Sequence, residues 1–234
     1  MCSSGHVPLY RIELGRTDYK SAWDLQKKLV SLRSRGKIPD CLIITEHDPV
    51  VTMGRASSKD NLLISREELQ NQGIEFFKIE RGGDITFHGP GQIVAYPILD
   101  LTNRGRDLHR YLRDLEQIII ETLIEFKIKA TTKKGLTGVW VANHKLAAIG
   151  VAVSRWISYH GMALNVNTDL DYFNHINPCG ITQFPVGSIS SILGKKADIE
   201  KAVKSLSNNF AKYFGYDMKV LESISDLSED LAVA

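Results

Sequence analysis

The chain has 234 residues, 43 % of them apolar and 24 % charged, with a formal net charge of +2. Those values exclude a disordered chain, and the near-balanced charge argues against nucleic acid as the main partner. At this length a fold buries roughly 70–75 % of its unfolded surface, so it needs neither disulfides nor metal to hold together.

Residues 9–14 (LYRIEL) alternate and predict a strand. Thr17 or Asp18 then caps a helix carrying Trp23, Leu25, Leu29 and Leu32, with Gly36 at its stop. Residues 41–45 (CLIIT) predict a short strand buried on both faces, and 50–53 a second one closed by Gly54. Residues 62–70 predict a short helix ended by Gly73. Residues 76–80 (FFKIE) form a strand that runs into the turn Arg81-Gly82-Gly83, and 92–98 (QIVAYPI) form another. The clearest helix is 107–126, where Leu108, Leu112, Leu115, Ile119, Leu123 and Phe126 recur at helical spacing. Residues 138–142 and 145–154 predict a hairpin across Asn143-His144, and 157–166 continue the β run. Residues 198–214 predict an amphipathic helix stopped by Gly215, and 222–234 are a polar, acidic tail. Strands come in clusters rather than in strict alternation with helices. The expected class is α+β, a mixed sheet with helices on one side, in a single domain over 1–234 with its core at about 9–220.

Cys2, Cys41 and Cys179 are an odd set at wide spacing, neither a disulfide framework nor a metal knuckle. A reducing setting follows. Residues 1–8 lack a basic region followed by a long apolar stretch, and no run approaches 18 apolar residues. No signal peptide, no transmembrane helix and a cytoplasmic location are therefore expected.

The densest chemical signal is residues 81–92, RGGDITFHGPGQ, with four glycines, an arginine and a histidine. Glycine lets backbone approach a ligand closely, but a hairpin whose turns need glycine reads equally well. No helix follows the glycines and no Gly-Lys-Ser/Thr follows them, so this is neither a dinucleotide fingerprint nor a phosphate loop. Cys179 lies in Asn-Pro-Cys-Gly, a loop context that can present a side chain, whereas Cys41 sits in an apolar strand and reads as inert core. A nucleophilic thiol needs help to ionise, and the candidate helpers are Lys145, His160, His175 and His88. Lys145 opens an apolar strand, where it serves either chemistry or protection of a sheet edge. No metal-ligand spacing and no nucleophile elbow occur, so no metal is expected.

Four stretches resemble the octanoyltransferases of lipoate biosynthesis, also called lipoyl(octanoyl) transferases. They are Glu46-His-Asp-Pro-Val-Val-Thr-Met-Gly-Arg55; Arg81 through Gln92, continued to Tyr96-Pro97; Gly138-Val-Trp140 with Lys145-Leu-Ala-Ala-Ile-Gly150; and His160-Gly-Met-Ala-Leu-Asn165 followed by Pro178-Cys179-Gly180. They stand in the family's order and span roughly 9–220. The resemblance implies a fold similar to the catalytic domain of biotin and lipoate protein ligases. It implies transfer of an octanoyl group from octanoyl-acyl carrier protein to a specific lysine of a lipoyl domain, those of 2-oxoacid dehydrogenase complexes and of glycine cleavage H protein included. It places an acyl-thioester on Cys179 with Lys145 assisting. Substrate contacts map to Arg81, Gly82, Gly83, Asp84, Ile85, Thr86, Phe87 and His88, to Ala148, Ile149 and Gly150, and to Gly161, Met162 and Ala163. No cofactor, nucleic acid or membrane partner is implied.

The chemistry is coherent. Exchange of one thioester for another is near thermoneutral, and amide formation is downhill, so ATP is not required. Ping-pong kinetics follow from the covalent intermediate. Lys145 as ammonium would favour the Cys179 thiolate, and as amine it could take a proton from the attacking lysine. Two basic groups could steer an acidic carrier: Arg104, Arg106, Arg110 and Arg113 at the start of the long helix, and Lys127, Lys129, Lys133 and Lys134 after it. The competing readings are an ATP-dependent lipoate or biotin ligase, which has no need of Cys179, and a non-catalytic acyl or lipoyl-domain binder, which could dispense with both Cys179 and Lys145.

Overall fold

The structure is a computed structural model that describes residues 7–178 and 184–221. The polar tail 222–234 and Cys2 lie outside those residues, as does Cys179. In chain order the elements are β1 (Val7–Thr17), α1 (Tyr19–Ser34), β2 (Asp40–His47), β3 (Val50–Met53), α2 (Arg66–Asn71), β4 (Glu75–Lys78), β5 (Ile85–His88) and β6 (Gln92–Ile98). Then follow α3 (Leu108–Ile124), β7 (Thr131–Lys133), β8 (Leu136–Val141), β9 (His144–Ser154), β10 (Ile157–Asn165), α4 (Ile189–Leu193), α5 (Ile199–Phe214) and β11 (Tyr216–Leu221). Short 3-10 turns occupy Lys59–Asn61, Thr102–Arg104 and Leu170–His175.

Eight strands form one mixed sheet in the order β11-β1-β2-β6-β10-β9-β8-β7, and three form a second in the order β4-β3-β5. The sheet is parallel across β11-β1-β2 and antiparallel from β2 onward. Its central strands are buried on both faces, so alternate side chains enter two different cores. Leu42 and Ile44, Ile93 and Ala95, Met162 and Leu164 pack with α3 and α5. Cys41 and Ile43, Val94 and Tyr96, Ala163 pack on the opposite side with Ala22 and Leu29 of α1. The helices thus flank the sheet on both faces, not on one. A chain with eight-stranded pairing and fully apolar central strands has two faces to cover, which the α3–α5 pair alone cannot do.

Helix boundaries follow local chemistry. Asp18, Asp107 and Asp198 accept the free N–H groups of Ser21, Arg110 and Lys201 at the starts of α1, α3 and α5. Gly215, at φ +71°, closes α5 in the left-handed region. The helix expected over 62–70 begins only at Arg66. Ser65 and Glu68 form a reciprocal capping box there, and Leu62 before it is bridged to Ile176. Within α1, Trp23 is only half-buried, and the polar Gln26 is fully buried instead. The β8–β9 hairpin turns at Ala142-Asn143, since Val141 pairs with His144.

The small sheet lies over the α1 side of the large one. The Gly82 N–H donates to the Val151 carbonyl (2.8 Å), linking the glycine turn to β9. The β5–β6 connection, His88-Gly-Pro-Gly-Gln92, joins the two sheets. Gly91 has φ +78°, and a Cβ there would meet the Asn167 carbonyl at 2.6 Å. The Gly91 N–H donates to Glu46 Oε2 (2.6 Å), and its carbonyl accepts from Val166 and Asn167. The turn therefore needs glycine for its own packing, as the turn reading of this motif expects.

Candidate active site

A cleft opens between the small sheet and the α1-side face of the large one. Its floor is the β9–β10 ladder, where Ala148 pairs with Ala163, Ile149 with Met162 and Gly150 with Gly161. Small side chains on facing strands leave a trough. Gly161 is required for a further reason: a Cβ would lie 2.2 Å from the Ala95 carbonyl of β6. The roof is Gly83, Asp84, Ile85, Thr86 and His88 from the glycine turn and β5, with Arg81 at its edge. Val94, Tyr96, Tyr19 and His160 close the remaining side.

The two sequence stretches 81–88 and 148–150 with 161–163 are therefore brought together in one cavity. Gly82 lines an adjoining cavity instead. Phe87 lines neither. Strand alternation turns it away, and its ring stacks on Tyr172 (4.6 Å between centroids) in the small-sheet core. Tyr19, Val94 and Tyr96 are lining residues that sequence reasoning did not single out. Tyr96 stood only inside a resemblance motif, and nothing in the pattern marks Tyr19, the first residue of a helix.

Arg81 is buried, and its guanidinium donates to the Thr52 carbonyl (2.7 Å), to Thr52 Oγ1 (3.0 Å) and to the Gly82 carbonyl (3.1 Å). It fastens the glycine turn to β3, so its first duty is to hold the roof in place. His88 Nδ1 donates to Gln92 Oε1 (2.7 Å), because the Gln92 amide donates elsewhere, to Phe87 O and Asn165 Oδ1. Burial and the nearby His47 push the His88 pKa down to about 3, so its ring is neutral. His47 is likewise pushed down by burial. Its Nδ1 faces the Thr17 carbonyl (3.0 Å), which leaves Nε2 to accept from the Tyr96 hydroxyl (2.7 Å). His160 has φ +54°, is 1 % exposed, and neither ring nitrogen has a hydrogen-bond partner. Burial and Arg81 push its pKa down to about 3. His175, another candidate helper, ends the turn beside Tyr172 and lines none of the cavities described here.

Lys145 lies near the start of β9 and is 8 % exposed. It lines a second cavity with Thr86, Ala148 and Ala163, which also line the cleft, and with Gln92, Asn165, Phe173, Pro178 and Val186. On its other side it lines a third cavity with Gly82, Gly83, Asp84, Ile149 and Gly150. Its stem runs against Gly138, and its amine sits 5.5 Å from the Trp140 ring centroid. The Lys145 N–H donates to the Pro185 carbonyl (2.9 Å), and its carbonyl accepts from Gly187 (2.9 Å). The edge-strand alternative for Lys145 does not fit, because β9 is paired on both sides, to β8 and β10. Cys41 is fully buried. Burial, with Asp40 beside it, pushes its thiol up to about 12, which fits an inert core residue.

The lipoyl protein ligase A/B catalytic domain family matches residues 18–211. An octanoyltransferase of Solibacter usitatus is 48 % identical over 206 residues, covering 88 % of this chain and 93 % of that protein. One of Desulforamulus reducens is 41 % identical over 217 residues, covering 92 % and 95 %. Among solved structures, a bi-partite lipoate protein ligase from Thermoplasma acidophilum superposes with a TM-score of 0.74 at 14 % identity, covering 97 % of this chain and 92 % of that one. The biotin protein ligase of Aquifex aeolicus gives 0.51 at 13 % identity, covering 89 % and 69 %. The α+β architecture is thus the one these ligases share. With relatives above 40 % identity over most of both chains, this chain belongs to the octanoyltransferase family, acyltransferases of lipoate biosynthesis.

Proposed function

We propose that this enzyme moves an octanoyl group from octanoyl-acyl carrier protein to a specific lysine of a lipoyl domain, through a thioester on Cys179. The acceptors would be the lipoyl domains of 2-oxoacid dehydrogenase complexes and glycine cleavage H protein. The observation that carries the reading is the setting of Lys145. A lysine this deep is costly unless used, and it stands between two cavities that each share lining residues with the cleft. Pro178, the residue before Cys179, lines the second cavity with it, and Pro185 and Gly187 are hydrogen-bonded to its backbone. The chain after residue 183 is thus bonded to Lys145, and the chain before residue 179 shares a cavity with it.

In the first half-reaction the Cys179 thiolate attacks the donor thioester carbonyl. The C–S bond to the pantetheine sulfur breaks, and that sulfur takes a proton from Lys145. In the second, the acceptor amine attacks the Cys179 thioester, loses a proton to Lys145 and expels the thiolate. The acyl chain would lie in the trough. Burial of about six methylenes is worth roughly 5 kcal/mol. The neutral His88 and the Gly161 backbone are among the groups that line that trough, and Arg81 holds its roof. A cytoplasmic setting is part of the proposal; no helix among the described residues is long and apolar enough to cross a membrane.

The test supplies a lipoyl domain with octanoyl-carrier protein alone, or with free octanoate and ATP. Transfer from the carrier without ATP is expected. Modification only with free octanoate and ATP would replace this reading with a ligase.

A further inference from the structure

The β8–β9 ladder shifts register between Val139 and Trp140, directly beside Lys145. A bulge of this kind re-aims the side chains next to it. Gly138, just before the shift on β8, has φ +137°. A Cβ there would lie 2.7 Å from Lys145 Cε and 2.6 Å from the Ala147 carbonyl. The lysine stem therefore lies directly on the Gly138 backbone. That backbone is held from below: the Gly138 N–H donates to Glu116 Oε1 at 2.8 Å. Glu116 sits on α3 with no exposed surface, and its Oε2 is 2.7 Å from the Arg113 guanidinium. Burial pushes its carboxyl pKa up, while the Gly138 N–H, Arg113 and Lys145 pull it back. A buried carboxylate is expensive, and the acyl-transfer steps above make no use of this one.

We propose that Glu116 is a positioning residue for acyl transfer: by holding the Gly138 N–H it fixes the β8 backbone on which the Lys145 stem rests, and so sets the position of the Lys145 amine. The inference rests on Lys145 being the proton carrier. Among the described residues, other charged groups around Lys145 include Lys133 of β7, which approaches the same Trp140 ring at 5.4 Å, and Asp84 of the glycine turn, which lines the third cavity; Arg113 of α3 holds the far oxygen of Glu116. Among these groups Glu116 alone is hydrogen-bonded to the backbone under the stem.

The test measures kcat and KM separately for octanoyl transfer by wild type, Glu116→Gln, Glu116→Asp, Arg113→Ala and Lys145→Ala, with a thermal melt of each. Gln keeps an oxygen for the Gly138 N–H and is expected to stay within about 5-fold of wild-type kcat. Asp is one methylene short, and a misplacement of about 1 Å costs on the order of 100-fold in rate. That loss is expected in kcat at unchanged KM. Arg113→Ala, at a half-exposed position, releases the other carboxylate oxygen and should lower kcat about 5-fold even if Glu116→Asp folds poorly. Wild-type kcat in the folded Asp and Arg113 variants, with Lys145→Ala inactive, would overturn the role of Glu116 alone. Equal kcat losses in Gln and Asp would also overturn the clamp. An active Lys145→Ala would overturn the assignment of Lys145, and the role of Glu116 with it.

Discussion

At the residue scale, environment separates side chains that look alike on paper. Cys41 lies at 0 % exposure with its Sγ 3.5 Å from the Pro39 carbonyl, and burial raises its thiol to about 12. At pH 8 it is expected to resist alkylation in the folded protein and to react only after denaturation. Peptide mapping after iodoacetamide treatment checks this, and modification of native Cys41 would contradict it. The histidines differ as well. His88 is fixed by Gln92 and His47 by Thr17 and Tyr96, while the His160 ring packs on Tyr159 without a hydrogen bond and its backbone N–H donates to Gln26 Oε1 (2.8 Å). Gln26 explains a polar residue on the buried face of α1. Helical spacing could not reveal it, because its reason for burial is a backbone donor 134 positions away.

At the element scale, the cleft depends on two ladders running close together. Gly161→Ala would drive a Cβ to 2.2 Å from the Ala95 carbonyl and 2.6 Å from Pro97 Cδ, so β6 and β10 must part. Overpacking of this kind costs about 1–3 kcal/mol, or roughly 2–12 °C in Tm for a chain this size. An unchanged melting temperature would contradict the crowding. Elements carried by local pattern were legible: β6 matches the predicted 92–98, and α3 and α5 begin one residue inside the predicted 107–126 and 198–214. Other elements left no local trace. β5 hides among the turn-forming residues of 81–92, and its pairing with β3 is what makes it a strand. β11 exists because it pairs with β1, more than 200 residues earlier. The site was legible through its motif residues. Its walls at Tyr19 and Val94, and the carboxylate of Glu116, come from elements whose relation to the site is set only by packing.

At the scale of the whole molecule, the two sheets and five helices of the described residues enclose a cluster of neutral histidines, and this couples the fold to pH. His88 and His160 have folded pKa values near 3, against about 6.5 in an unfolded chain. Between those values the unfolded state binds more protons, so stability falls as the pH falls. The loss begins below about pH 6.5 and approaches 1.4 kcal/mol per histidine for each pH unit. Tm measured from pH 7 to pH 5 should fall, and His160→Gln should flatten that fall. Parallel slopes would mean that His160 is not held neutral.

The central claim is that Cys179 carries the acyl group. It is tested most directly by intact-protein mass spectrometry after brief mixing with octanoyl-carrier protein and no acceptor. Wild type and Cys41→Ser are expected to gain one octanoyl group that hydroxylamine removes, and Cys179→Ser none. An adduct that persists in Cys179→Ser, or none on folded wild type with intact donor, would contradict it.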